Sequence, residues 1–398
     1  MYVAGTGVIS AIGNSVPETL QSFQNQLSGI GQITRLDTIH RNILPVGEVK
    51  LSDEDLIKQS GRNKNISRTA LLGIHAAREA ILNSGISNLK KWRTGLISAT
   101  TVGGMDRTEN FFTDFTKDPA KGKLRDVINH ECGRSTELIA EEVGINGFIS
   151  TINTACSSSV NSIIFGTRLI QQGLLDVVIA GGTDALTKFT INGFNSLMIL
   201  DKEPCRPFDA SRNGLNLGEG AGFLVLVSES VARQEKLNMD CHVSGFANTN
   251  DAYHQTASSP EGRGSFAAMQ QSLQMSGLKT ENIDYINLHG TGTVNNDQSE
   301  GTAISRLFVD KLPRLSSTKS FTGHTLGACG GIEAVFSVMA IQQGCVFPNL
   351  RFQQAMPELN AIIPQTIYED GLTIKNVMSN SFGFGGNCSS IIFSKPQG

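Results

Sequence analysis

Four short segments of this 398-residue chain carry the side chains best suited to chemistry, and the first holds a cysteine at a bend. In Ile152-Asn153-Thr154-Ala155-Cys156-Ser157-Ser158-Ser159-Val160-Asn161, the run from Phe148 to Ile152 reads as a short buried strand. Val160, Ile163 and Ile164 then share one side of a helix. Cys156 therefore falls at a strand-to-helix turn. The first N–H groups of a helix have no partner within it and the dipole is positive there, which favours thiolate over thiol. Cys156 is a candidate nucleophile; the competing role is a small residue packed under a tight turn.

The other three segments also end predicted strands. Asn287-Leu288-His289-Gly290-Thr291-Gly292-Thr293 puts His289 at a strand's C-terminal edge, with glycines that let backbone approach a ligand. Ser317-Thr318-Lys319-Ser320-Phe321-Thr322-Gly323-His324 places Lys319 at a strand end and His324 near the next helix start. Ser379-Asn380-Ser381-Phe382-Gly383-Phe384-Gly385-Gly386 is a glycine-rich turn between two strands. Taken singly, each has a structural explanation: a bonded histidine, a surface lysine, a hairpin. Open α/β sheets collect their sites at the carboxyl ends of strands, and all four segments lie there. A thiol, two imidazoles, an ammonium and a turn with free N–H groups suit acyl transfer.

The elements that must position these groups alternate along the chain. Val3 to Ser10 reads as a strand, followed by a helix to about Leu27 opened by the Ser15-x-x-Glu18 capping pattern. Ala70, Leu71, Ile74, Ala77 and Ile81 form a helical stripe stopped by Gly85, and strands are expected at 95–100, 176–182 and 222–228. Residues 103 to 135 read as an irregular insertion. A second series of similar order begins near Cys241, with a long helix expected over 323–342 and a closing strand pair at 377–382 and 389–394. Such alternation implies mainly parallel sheets covered on both faces, with a duplicated unit divided as 1–230 and 231–398.

Composition narrows the class. With 39% hydrophobic and 17% charged residues, 42 glycines and 11 prolines, the chain is an ordinary globular one, and it is long enough for two cores. A net charge of −3 without long runs of one sign points to neither nucleic acid nor a membrane surface. No apolar run nears the roughly 20 residues that cross a bilayer, and the expectation is a cytosolic protein. The seven cysteines are scattered and form no Cys-x-x-Cys pair, which argues against a disulfide framework or a zinc site and leaves the thiols reduced.

Thr154-Ala155-Cys156-Ser157-Ser158-Ser159, His289-Gly290-Thr291-Gly292-Thr293 with Asn296-Asp297, Lys319 to His324 with Gly327-Ala328, and Asn380 to Gly386 resemble the motifs of β-ketoacyl-[acyl-carrier-protein] synthases of the elongating class. The resemblance runs over essentially the whole chain. It implies the thiolase fold, two α/β halves in five layers (αβαβα), and a homodimer that takes its phosphopantetheine arm from an acyl carrier protein, with no other cofactor and no metal. It also implies roles. Cys156 would carry the acyl group, neutral His289 and His324 would donate to the malonyl thioester oxygen, and the N–H groups of Cys156 and Phe384 would hold the oxyanion. Lys319 would support electrostatically, orienting His324 and the buried Glu333. Thr291 and Thr293 would meet the pantetheine amides, while Val102 and Phe194 would line the acyl pocket.

The carrier protein is acidic, so docking calls for a local basic patch. Arg62, Lys64 and Arg68 are the first candidates, and Lys121, Lys123 and Arg125 the second. Where the family's glycine turn commonly continues Thr-Asn, this chain has Asn387-Cys388, so the bonding behind the turn is expected to differ. Three alternatives bear on the assignment. A silent chain-length subunit, partner in a heterodimer, would not need Cys156, His289 and His324 together. Initiating synthases pair cysteine with histidine and asparagine, unlike the second imidazole here. A thiolase would need a second, C-terminal cysteine, for which only Cys388 comes late enough. Chain length and saturation of the acyl group, and a fatty-acid or polyene and polyketide pathway, stay open.

Overall fold

The computed structural model describes residues 1–62 and 65–396. Ten strands build the core: β1 (Tyr2–Ser10), β2 (Thr94–Ala99), β3 (Phe148–Ile152), β4 (Val177–Asp184), β5 (Gly220–Val227), β6 (His242–Asn250), β7 (Tyr285–Asn287), β8 (Arg314–Ser316), β9 (Asn376–Phe382) and β10 (Asn387–Ser394). The helices used below are α1 (Val16–Gln24), α2 (Arg68–Ser84), α3 (Met105–Lys117), α4 (Cys132–Val143), α5 (Ser158–Gln171), α6 (Arg263–Ser276), α7 (Val294–Leu307), α8 (Lys319–Thr322) and α9 (Cys329–Gln343).

The strands run β3-β2-β4-β5-β1 in the first half and β8-β7-β9-β10-β6 in the second, the same order twice. Both halves also share directions: three strands parallel, then one antiparallel to both its neighbours. The reversal of β10 has a local cause, because the four-residue turn after β9 is too short for a crossover and can only make a hairpin. The two sheets meet along one edge, at Tyr2 opposite His242 and through the Val3 N–H donated to the Cys241 carbonyl.

Helices α5 and α9 touch each other and both sheets, and so form the middle layer. α2 and α4 cover the first sheet; α6 covers the second, with α7 packed against α6. Position in the stack explains the sequence of α9: every residue from Cys329 to Ile341 is buried, and its apolar character runs all round rather than along one face. α2 shows the expected stripe, with Ser67 capping its start and Gly85 left-handed at its end. Among the described residues, no helix is long and apolar enough to cross a membrane.

Several expectations need correction. Residues 103–135 are not irregular: they hold α3, a 3-10 segment at Leu124–Asn129 and the start of α4. Their apolar residues escaped a core pattern because many face outward, Phe112 and Leu124 among them. β3 is an edge strand with Phe148 and Ile149 exposed, not a buried one. Ser15 caps α1 by accepting from the Glu18 N–H, but Glu18 returns its carboxylate to Asn14, so the reciprocal box is absent. The helix expected over 323–342 starts late: a turn after α8 and a 3-10 segment at Leu326–Ala328 precede α9, because Gly323 and Leu326 both take positive φ.

Candidate active site

Cys156 stands where β3 hands over to α5, on a bend made by Ala155 at φ 54°. A non-glycine residue in that region is strained, and here Ser158 holds it by donating its hydroxyl to the Ala155 carbonyl. The glycine turn passes directly over this elbow. A Cβ on Gly383 would sit 3.1 Å from both the Cys156 nitrogen and the Thr154 carbonyl, so a larger residue would push the turn away. Gly385 and Gly386 follow with φ of 81° and 80°, conformations that side chains rarely adopt. This path brings the Phe384 N–H to the sulfur beside the N–H of Cys156 itself.

One sulfur and two imidazoles converge. A ligating atom from each of Cys156, His289 and His324 lies within 4.8 Å of the others, and all three residues are buried. The two rings face each other edge-on with centroids 5.5 Å apart. Their tautomers follow from their partners. The Leu326 N–H donates to Nδ1 of His324 (3.0 Å), and the Lys319 ammonium sits 3.3 Å from Nδ1 of His289. Both Nδ1 atoms are acceptors, so each neutral ring carries its hydrogen on Nε2. Zinc would need the Nε2 atoms bare, which the groups donating to both Nδ1 atoms oppose.

Burial keeps both rings neutral. It lowers His324 to about 3 and His289 well below the usual imidazole range, with the Lys319 charge adding to both. The expectation for the nucleophile is corrected by the same force. Burial pushes the Cys156 thiol up to about 11, against the opposing pull of Lys319 and the two N–H groups, so the resting form is the thiol and not the thiolate. Lys319 itself opens α8 rather than ending a strand. Burial would strip its proton, but the Glu333 carboxylate at 2.5 Å outweighs that and holds it charged. Its partners are Glu333 and His289; orientation of His324 falls to the backbone of Leu326.

A cavity of about 450 Å³ opens onto the triad. Phe194, Met198, Ile199, Leu215 and Phe382 make its apolar wall, and Thr291, Thr293, Asn213 and Ser258 lie among its polar lining. The hydroxyls of Thr291 and Thr293 are 2.9 Å apart, and Ser258 and Asn295 close one rim through a reciprocal pair of hydrogen bonds. Phe194 stacks on Phe384 with centroids 5.8 Å apart. Val102 does not line the cavity. It belongs to the apolar cluster with Leu186, Ile191 and Leu215, and its N–H donates to Asp184.

Of the first docking group, Arg68 is withdrawn from the surface. Arg68 is 6% exposed and clasps Glu219 through Nε and Nη2, with Asp53 on Nη1, so its charge is answered inside the fold. Arg62 is half-buried against Glu141 and Glu142, and Lys64 lies outside the described residues. Lys121, Lys123 and Arg125 are exposed, Lys121 within 3.8 Å of Asp118.

Two buried acids were missed by sequence reasoning. Asp184, at the end of β4, accepts from Thr100, Thr101, Val102 and the Gly327 N–H, and so joins the halves just beyond His324. Glu300 accepts the N–H groups of His289 and Gly290 and fixes the backbone of that histidine. Burial raises them to about 6 and about 7. An acid closing the apolar run Val177-Val178-Ile179-Ala180-Gly181-Gly182-Thr183 was the available signal for the first.

The sequence matches the family model for the N-terminal domain of β-ketoacyl synthase over residues 2–232 and that for its C-terminal domain over 241–353. It is 35% identical to 3-oxoacyl-[acyl-carrier-protein] synthase 2 of Staphylococcus aureus (strain N315), covering 99% of this chain and 98% of that protein. The enzyme of the same name from Synechocystis sp. is also 35% identical, covering 100% and 98%. The fold superposes on the ishigamide ketosynthase/chain length factor with a TM-score of 0.93 at 28% identity, covering 100% of this chain and 99% of that one. A ketosynthase in complex with its chain length factor from Xenorhabdus doucetiae gives 0.84 at 31%, covering 99% and 98%.

Proposed function

Given that this chain belongs to the β-ketoacyl synthase family and is a 3-oxoacyl-[acyl-carrier-protein] synthase with the thiolase fold, an acyltransferase, we propose how its residues divide the work. Cys156 takes the acyl group from the carrier's phosphopantetheine thioester, and the carrier thiol leaves. Malonyl carrier protein then enters. The Nε2–H groups of His289 and His324 donate to its thioester oxygen and stabilise the enolate as carbon dioxide departs. The enolate carbon attacks the acyl-cysteine, the N–H groups of Cys156 and Phe384 hold the oxyanion, and collapse frees the Cys156 sulfur with the 3-oxoacyl product. Lys319, held charged by Glu333, keeps His289 in its donor tautomer. Thr291 and Thr293 meet the pantetheine amides, and Phe194 borders the acyl chain.

The observation that carries this reading is the convergence of one thiol with two Nε2–H imidazoles in a single cavity. A silent chain-length subunit has no use for it. Intact-protein mass spectrometry after mixing with acyl carrier proteins of several chain lengths tests the assignment. Wild type should gain an acyl mass and Cys156→Ala none; an equal load on both would reject it.

We further propose an acidic acyl carrier protein as partner, supplying the phosphopantetheine arm so that no separate cofactor is used, and docking through exposed Lys121, Lys123 and Arg125. The repeated strand order supports a division into 1–230 and 231–398. Exposed Phe148 and Ile149 on edge strand β3, and separately solvent-facing Phe112 and Phe115, support a dimer. A homodimer is the simpler form. The ketosynthase relative that pairs with a chain length factor supports a heterodimer as the second. Seven free cysteines support a reducing, cytoplasmic setting.

A further inference from the structure

Asn387, which stands where the family's pattern has threonine, is bonded in a way that the glycine turn alone does not require. Its Oδ1 accepts from the Ser157 hydroxyl at 2.6 Å, from Asn161 Nδ2 at 3.0 Å and from Asn248 Nδ2 at 2.7 Å. Two of those donors belong to the nucleophile elbow and its helix. Ser157 follows Cys156 directly and is fully buried, and Asn161 lies one turn further on, its second amide hydrogen going to the Thr154 hydroxyl at 2.8 Å. The backbone of Asn387 meanwhile closes the turn: its carbonyl accepts the Gly383 N–H at 2.8 Å.

The two N–H groups assigned to the oxyanion come from opposite halves of the molecule, Cys156 from the first and Phe384 from the second. Donors of this kind work only at about 2.7–3.1 Å from the developing charge, so their separation must be fixed by something stiff. Asn387 spans the gap. Its main chain holds the turn that presents Phe384, and its side chain grips the residue after Cys156. A threonine hydroxyl ends one bond nearer the backbone and cannot accept from all three donors at these positions. Resting on the acyl-cysteine reading above, we propose that the side chain of Asn387 is a positioning residue that sets the distance between the two oxyanion donors.

Cys156 undergoes two reactions that separate this role from general structural support. Acyl loading from acyl carrier protein passes through an oxyanion; alkylation by iodoacetamide displaces iodide and forms none. The ratio of the two rates cancels any change in the thiolate population. In Asn387→Ala the ratio should fall by about 10- to 100-fold, the scale expected for displacement of a catalytic group by up to about 1 Å. Asn387→Asp retains an acceptor oxygen at the same reach and should return the ratio to near the wild-type value. An unchanged ratio in Asn387→Ala, or equal losses in both reactions, overturns the inference while leaving acyl transfer intact. If wild type alkylates but takes no acyl group, the acyl-cysteine reading itself fails, and this inference with it.

Discussion

Lys319→Met is the most informative single change, because one substitution alters stability and chemistry with different dependences on pH. Methionine keeps most of the apolar stem and removes an ammonium 2.5 Å from Glu333 and 3.3 Å from His289. Glu333 is left alone in the buried stretch of α9, where burial already raises it to about 7 with Lys319 present; without that opposing charge it rises further. Removing one member of a buried ion pair costs about 3–5 kcal/mol. The sign with pH follows from linkage. The carboxyl in the folded variant titrates above its unfolded value of about 4.3, so the folded state binds the extra proton, and stability falls as pH rises from that value through the folded one.

The variant should therefore melt close to wild type near pH 4.5 and well below it at pH 8. Activity is lost for another reason: with no donor on Nδ1, His289 is free to move its hydrogen off Nε2, and carbon dioxide release from malonyl carrier protein should drop on the order of 100-fold. Adding Glu333→Met removes the stranded carboxyl, so the double variant should regain the melting temperature but not the rate. Thermal denaturation across pH and a carbon dioxide release assay check both arms. A pH-independent loss of stability, or a double variant with restored turnover, would refute the reasoning.

Other outcomes follow from the same geometry. His324→Ala should keep acyl loading on Cys156 and lose decarboxylation by about 100-fold or more, read by mass spectrometry and carbon dioxide release on one sample. With His324 lowered to about 3 by burial and Lys319, the decarboxylation rate should show no imidazole inflection between pH 5 and 8. With Cys156 raised to about 11 by burial, iodoacetamide labelling of the empty enzyme should climb about tenfold per pH unit from 7 to 9; a plateau by pH 8 would contradict the weight given to burial. Arg68→Met should lower the melting temperature by leaving Glu219 unpaired, yet leave the KM for acyl carrier protein unchanged.

What could be read before any coordinates was whatever repeats with a period or carries a motif. The Ala70-to-Ile81 stripe, the Gly85 stop and the alternation of strands with helices all have local causes, and they stand where the pattern put them. Cys156, His289 and His324 were legible because each belongs to a short ordered motif, the first two just beyond a strand end. What stayed hidden depends on distant neighbours. Arg68 looks like a surface cation until Glu219, from 151 residues away, closes on it. The thiol of Cys156 was read from its helix start alone, and only the packing around it reveals how strongly desolvation opposes ionisation. Lys319 was paired with the wrong imidazole because sequence distance favours His324, whereas the fold brings His289 within reach.

The duplicated architecture has a consequence for how such a molecule can be taken apart. Each five-stranded repeat is complete as a sheet, yet one supplies the sulfur and the other both imidazoles and the glycine turn. A chain severed between β5 and β6 would yield two fragments that each retain a full strand order and neither of which is competent by itself. Turnover would return only on reassociation, so catalysis itself would serve as the gauge of whether the two fragments have found one another.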